Sequence, residues 1–159
     1  MLRVTREADG PHGIETLDFK DMASFTTDLT RLAEIHALQM EALRAHAVEP
    51  DMCTNRHAAM VSNAYHPHHP KAFMLRMHSA EDSESGWYVG VEGEPLAIND
   101  PGRSSFVSTY ELSLQDDRLL PYWLFPGGYT IAFAGEVMKG VSVGQPLPSS
   151  PAKPWWKLW

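Results

Sequence analysis

The chain has 159 residues and a mass of 17.8 kDa, enough to bury one hydrophobic core and too little for two ordinary domains. A 43% apolar and 21% charged composition excludes global disorder, and a net charge of -7 opposes nonspecific attraction to nucleic acid or to anionic membranes. The lone Cys53 excludes an intramolecular disulfide and any multi-cysteine zinc site.

The N-terminal stretch MLRVTREADGPHG has neither an apolar signal core nor a cleavage site, and no run of about 18 apolar residues follows anywhere. A cytoplasmic protein with no membrane partner is expected. GIETLDF reads as a short strand. From Asp21 to Ala47, Met22, Phe25, Leu29, Leu32, His36, Met40 and Leu43 recur at steps of three and four without Gly or Pro. That spacing predicts an amphipathic helix over 21–47, with Ile35 and Leu38 widening its buried stripe. Pro50 ends it, and CTNRHAAMVSNAY is expected to form a second short helix capped near Thr54 or Asn55.

Phe73, Leu75 and Met77 alternate in KAFMLRMHS, as do Trp87, Val89 and Val91 in GWYVGVEG, so two antiparallel strands are expected around the polar loop SAEDSESG. PLAINDPGRSSF reads as a turn-rich loop and SFVSTYELSL as a strand running into a short helix. LLPYWLFPGG is apolar but broken by Pro121 and Pro126, and YTIAFAGEV places Tyr129, Ile131 and Phe133 two apart in a final strand. The tail over 144–159 is proline-rich and closes on PWWKLW, which must find apolar contact on its own body or on another chain.

Chemistry is most visible in NAYHPHHPKAF. His66 and His68 could share a metal from an extended strand, with His69 beside them, but Pro67 and Pro70 stiffen the segment as a surface connection without any ligand. No carboxylate lies in the motif, and no CxxC or HExxH completes a coordination set. The expectation is therefore no metal and no cofactor. Cys53 with His57 is formally a nucleophile and base, yet no orienting residue or oxyanion-hole motif accompanies them. Neither GxGxxG nor GxxxxGK[ST] occurs, so nothing cradles a nucleotide phosphate.

Charge is more informative. Between Glu81 and Asp117, nine acidic residues (Glu81, Asp82, Glu84, Glu92, Glu94, Asp100, Glu111, Asp116 and Asp117) face the single cation Arg103. One strongly negative face or rim is expected, a docking surface for a cationic protein. Trp87 and its aromatic neighbours supply candidate anchors beside it.

Residues 53–136 resemble the Immunity protein 33 family. The resemblance rests on CTNRHAAMV, the strand ending in RM, SGW at 85–87, NDP at 99–101, YEL at 110–112 and LLPYWLFPGG at 119–128. It implies a cytoplasmic antitoxin that binds a toxin and blocks its active site. HPHHP, the N-terminal helix and the Trp-rich tail stand outside the family pattern. The sequence thus predicts one α+β domain, an antiparallel sheet with a long N-terminal helix packed on one face. It is expected to act as a non-catalytic inhibitor of a toxin with a basic surface through Glu81, Asp82, Glu84, Trp87, Glu92, Glu94, Asp100, Asp116 and Asp117. The alternatives are a small metal-binding hydrolase using His66, His68 and His69, or an adaptor module joined through the tail.

Overall fold

The computed structural model describes residues 2–6, 12–17, 25–51, 57–77, 84–98 and 100–144. Cys53, Glu81, Asp82, the body of the SAEDSESG loop and the tail beyond Gly144 lie outside the described residues. Among the described residues, two sheets and two α-helices make an α+β fold. The first sheet is a small antiparallel one, β1 (Leu2–Arg6), β2 (His12–Leu17) and β3 (Phe25–Thr26). The strand expected in GIETLDF falls in β2.

Helix α1 spans Thr30–Ala45, shorter than the 21–47 read from periodicity. Phe25 belongs to β3, so an apolar residue that fits the helical stripe is spent on a strand. The helix begins where Asp28 Oδ1 accepts the Thr30 amide and Thr26 Oγ1 accepts the Asp28 amide, a local turn that competes with further helix. It ends in a Schellman turn: the Ala47 and Val48 amides donate to the Arg44 and Leu43 carbonyls, and Ala47 adopts φ 52. Ile35 and Leu43 are buried, while Leu38, expected in the stripe, is 42% exposed.

The main sheet has six strands in the order β7-β4-β6-β5-β8-β9. These are β4 (Ala58–Ser62), β5 (Ala72–Arg76), β6 (Glu84–Val91), β7 (Ser104–Ser108), β8 (Tyr129–Ala134) and β9 (Val137–Val143). It is mixed, not purely antiparallel, because β6 inserts between β4 and β5 and runs parallel to β4. Two expectations change here. AAMVS is a strand and no short helix: Ala59 and Val61 point into the main core while Met60 enters a second cluster on the other face. A central strand buried on both faces gives a continuous apolar run with no alternation to mark it. YTIAFA forms β8 as expected but is not the last strand, since β9 pairs with it through a two-residue turn.

Helix α2 (Thr109–Gln115) starts at an N-cap serine, with Ser108 Oγ accepting the Glu111 amide at 3.1 Å. A 3-10 helix, Asp117–Tyr122, follows and carries Pro121. Helix α1 lies against this 3-10 helix, and Gln39 Nε2 donates to the Leu120 carbonyl. Beneath them the core gathers Leu43, Ala59, Val61, Met74, Trp87, Val89, Leu112, Leu119, Trp123, Phe125, Ile131 and Phe133. Trp87 meets Trp123 edge to face at 5.8 Å. Its indole donates to the Trp123 carbonyl, and the Trp123 indole donates to Ser113 Oγ, so neither buried N–H is orphaned. Across the sheet, Tyr88 and Phe73 close over Gly90, where an added Cβ would lie 2.6 Å from Tyr88 Cε1.

Candidate functional site

Strand direction sorts the loops. β4, β6 and β8 end on one side of the sheet, so residues 63–71, residues 92–103 and the turn at Gly135 and Glu136 meet there. Backbone hydrogen bonds lock them together: Asn63 donates to the Arg103 carbonyl at 2.8 Å, Glu92 to Lys71 at 2.8 Å, and Gly135 to Pro70 at 2.9 Å. This loop end is the candidate docking surface.

A buried carboxylate organises it. Asp116, at the junction between α2 and the 3-10 helix, is 0% exposed. Its Oδ1 accepts from Arg118 Nε at 2.8 Å and from the Arg118 amide; its Oδ2 accepts from Arg118 Nη2 at 2.6 Å, Tyr65 Oη at 2.8 Å and the His68 amide at 3.0 Å. Arg118 Nη1 donates to the Gly135 carbonyl, and the guanidinium lies over the Phe133 ring at 5.2 Å. One ion pair therefore ties the histidine loop, the β8–β9 turn and the 3-10 helix into a single unit. Burial alone pushes the Asp116 carboxyl up, but the Arg118 side chain, the His68 amide and the Tyr65 hydroxyl together hold it at about 2. Tyr65 is raised in turn, by its burial and by its bond to that carboxylate.

The histidine segment is a tight turn. The His69 amide donates to the His66 carbonyl at 3.0 Å, with Pro67 second and His68 third at φ 59, the type II pattern of a positive φ in the third place. Glycine or asparagine is usual there, and His68 is held by the bond from its amide to Asp116. The three imidazoles do not converge. His66 and His69 stack edge to face at 4.7 Å, while His68 Nδ1 points toward Glu136 Oε2 at 3.4 Å and Asp116 Oδ1 at 4.0 Å. His66 Nδ1 sits 3.1 Å from the Pro67 carbonyl, which can only accept, so its proton is on Nδ1. His69 Nδ1 accepts the Lys71 amide, so its proton is on Nε2, and no shared pair of lone pairs is offered to a metal. Burial, with the charges of His66, Lys71 and Arg118, lowers the His69 pKa.

Among the described residues, His68, Asp116 and Asp117 bring potential ligand atoms within 4.8 Å of one another. The donor set does not fit a cation. Both Asp116 oxygens are already occupied by five donors, and a dication would face the Arg118 guanidinium.

The sequence-predicted partner residues separate. Glu92, Glu94, Asp100 and Asp117 are exposed at the loop end, joined by Glu136, which the sequence reading did not single out. Glu92 is paired with Lys139 at 3.3 Å and Glu94 with Arg103 at 3.9 Å. Glu84 begins β6 at the opposite end of the sheet, so the expected single negative rim is divided between two ends. Trp87 is 1% exposed, and it is a core side chain with no surface to offer a partner. Asp116 likewise leaves the surface, because its charge is consumed by Arg118. Tyr110, Trp123 and Phe125 are buried and Tyr122 and Tyr129 half-buried, so these aromatics are packing residues as well. The Cys53 and His57 pairing lies partly outside the described residues. The hub of Tyr65, Asp116 and Arg118 was missed; only the apolar Leu119 and Leu120 directly after Asp116-Asp117-Arg118 hint that charges there are buried.

Comparison of the chain with protein-family models, with curated proteins and with solved structures gave no match. No helix among the described residues is long and apolar enough to cross a membrane.

Proposed function

We propose that this chain is an immunity protein of the kind residues 53–136 resemble, binding a cognate bacterial toxin stoichiometrically and covering its active site or substrate surface. One observation carries the reading: Glu92, Glu94, Asp100, Asp117 and Glu136 converge on a single loop-built end of the sheet, held by a buried ion pair. A preorganised acidic surface selects a basic partner and speeds encounter. If the toxin is a nuclease, its phosphate-binding surface is the complementary one. The histidine turn stands at the same end, and loops on a rigid scaffold are where partner specificity resides. The inhibitor acts in the cytoplasm of the producing cell, without cofactor or turnover. The Nδ1 atoms of His66, His68 and His69, engaged with backbone and carboxylate, favour this reading over a metal-dependent hydrolase.

The test is co-expression with the secreted effector encoded beside its gene. Restored growth and a one-to-one complex on co-purification are expected; undiminished killing with both proteins soluble would sink the reading.

A further inference from the structure

Among the described residues the fold buries two arginines on the helix-covered side of the sheet, and treats them differently. Arg118 is saturated by a carboxylate and two backbone carbonyls. Arg76, at the end of β5 away from the docking loops, has a side chain 6% exposed and lies over the Trp87 ring at 5.4 Å. Among the described residues it pairs with one carboxylate, Asp51 Oδ2, 3.6 Å from Nη2, on a side chain 55% exposed. Arg76 Nη1 is buried with no hydrogen-bond partner, and is the buried side-chain nitrogen or oxygen atom so left among the described residues.

An unmade hydrogen bond at a buried charged donor is destabilising by about 1–3 kcal/mol or more, and buried polar groups are otherwise almost always paired. The guanidinium gains a cation–π contact with Trp87, but that contact leaves the Nη1 donor without an acceptor. We propose that Arg76 anchors a site for a small carboxylate-bearing ligand, entering beside Asp51 and accepting hydrogen bonds from the Arg76 guanidinium. A planar carboxylate matches the guanidinium fork in two parallel bonds. Charge favours it over a phosphate dianion, because the site has one cation and Asp51 already beside it. This site stands apart from the docking surface and independent of the toxin reading.

The test uses the full chain, with sodium acetate replacing sodium chloride at constant ionic strength. Acetate should raise the wild-type Tm saturably, by about 3 °C at tenfold over its dissociation constant. Arg76→Met should lose the acetate response, and inorganic phosphate should shift the wild type less than acetate. Because a variant can fail to fold, the Arg76 side-chain Nε–H resonance of the wild type is followed in the same titration and should move with the same midpoint. An unmoved resonance, an equal acetate response in Arg76→Met, or a larger response to phosphate overturns the proposal.

Discussion

Replacing Asp116 by asparagine tests the reasoning about the loop end most severely, because it changes one atom and one charge at a site that is 0% exposed. In the wild type five donors converge on the two carboxylate oxygens. The amide keeps one acceptor oxygen and turns an NH2 group toward donors, so at least two of those bonds are lost. Arg118, 5% exposed at its side chain, is then a buried cation without a counter-charge. Breaking a buried pair in this way costs about 3–5 kcal/mol. A second route gives a compatible figure: lowering the carboxyl from 3.8 to about 2 corresponds to roughly 2.5 kcal/mol of differential stabilisation. Urea denaturation of Asp116→Asn followed by circular dichroism should show a loss of about 3 kcal/mol or more. Asp116→Asn with Arg118→Met, which removes the stranded cation, should recover part of it. A single-variant loss under about 1 kcal/mol would mean that the ion pair does not hold the loops together.

Further outcomes follow from the same geometry. Because the Asp116 pKa is lower folded than unfolded, its stabilisation is complete above about pH 4 and lost as pH falls toward 2, so acid titration of stability should show a limb there that Asp116→Asn lacks. Gly90→Ala should destabilise by about 1–3 kcal/mol, since its Cβ meets the Tyr88 ring at 2.6 Å with Phe73 behind; thermal unfolding reads this. Ala47→Gly should stabilise by about 1 kcal/mol in the same assay, because Ala47 sits at φ 52 in the turn that ends α1.

Where a β-prone run was bounded by polar, glycine-bearing loops, the sequence was readable. Strands β5 and β6 followed from alternation and the polar loop between them although both are buried on both faces, and the turn-rich loop around Gly102 and the strand running into α2 followed from composition. Legibility failed where a short, alanine-rich strand fits a helix as well as a sheet, or where charges are internal. AAMVS passes between two apolar clusters and so lacks period two. Phe25 fits a helical stripe that Asp28 interrupts by binding the Thr30 amide. Composition places Asp116 and Asp117 together in an acidic run, yet the fold sends one to Arg118 in the interior and the other to solvent. Strand order, which decides that Glu84 and Glu92 sit at opposite ends, is a long-range property that no local pattern encodes.

The central claim is that the loop end meets a basic partner. Association rates with the cognate toxin should therefore be measured across a salt series for Glu92→Lys, Glu94→Lys, Asp100→Lys and Asp117→Lys combined, beside a control carrying Glu84→Lys and Glu111→Lys. These acidic loop residues are exposed, and surface ion pairs such as Glu92 with Lys139 contribute about 0–1 kcal/mol, so the variant should stay folded. The account predicts association at least about tenfold slower and less salt-dependent for the loop-end variant, with the control near wild type. Equal rates for both variants and the wild type would contradict it.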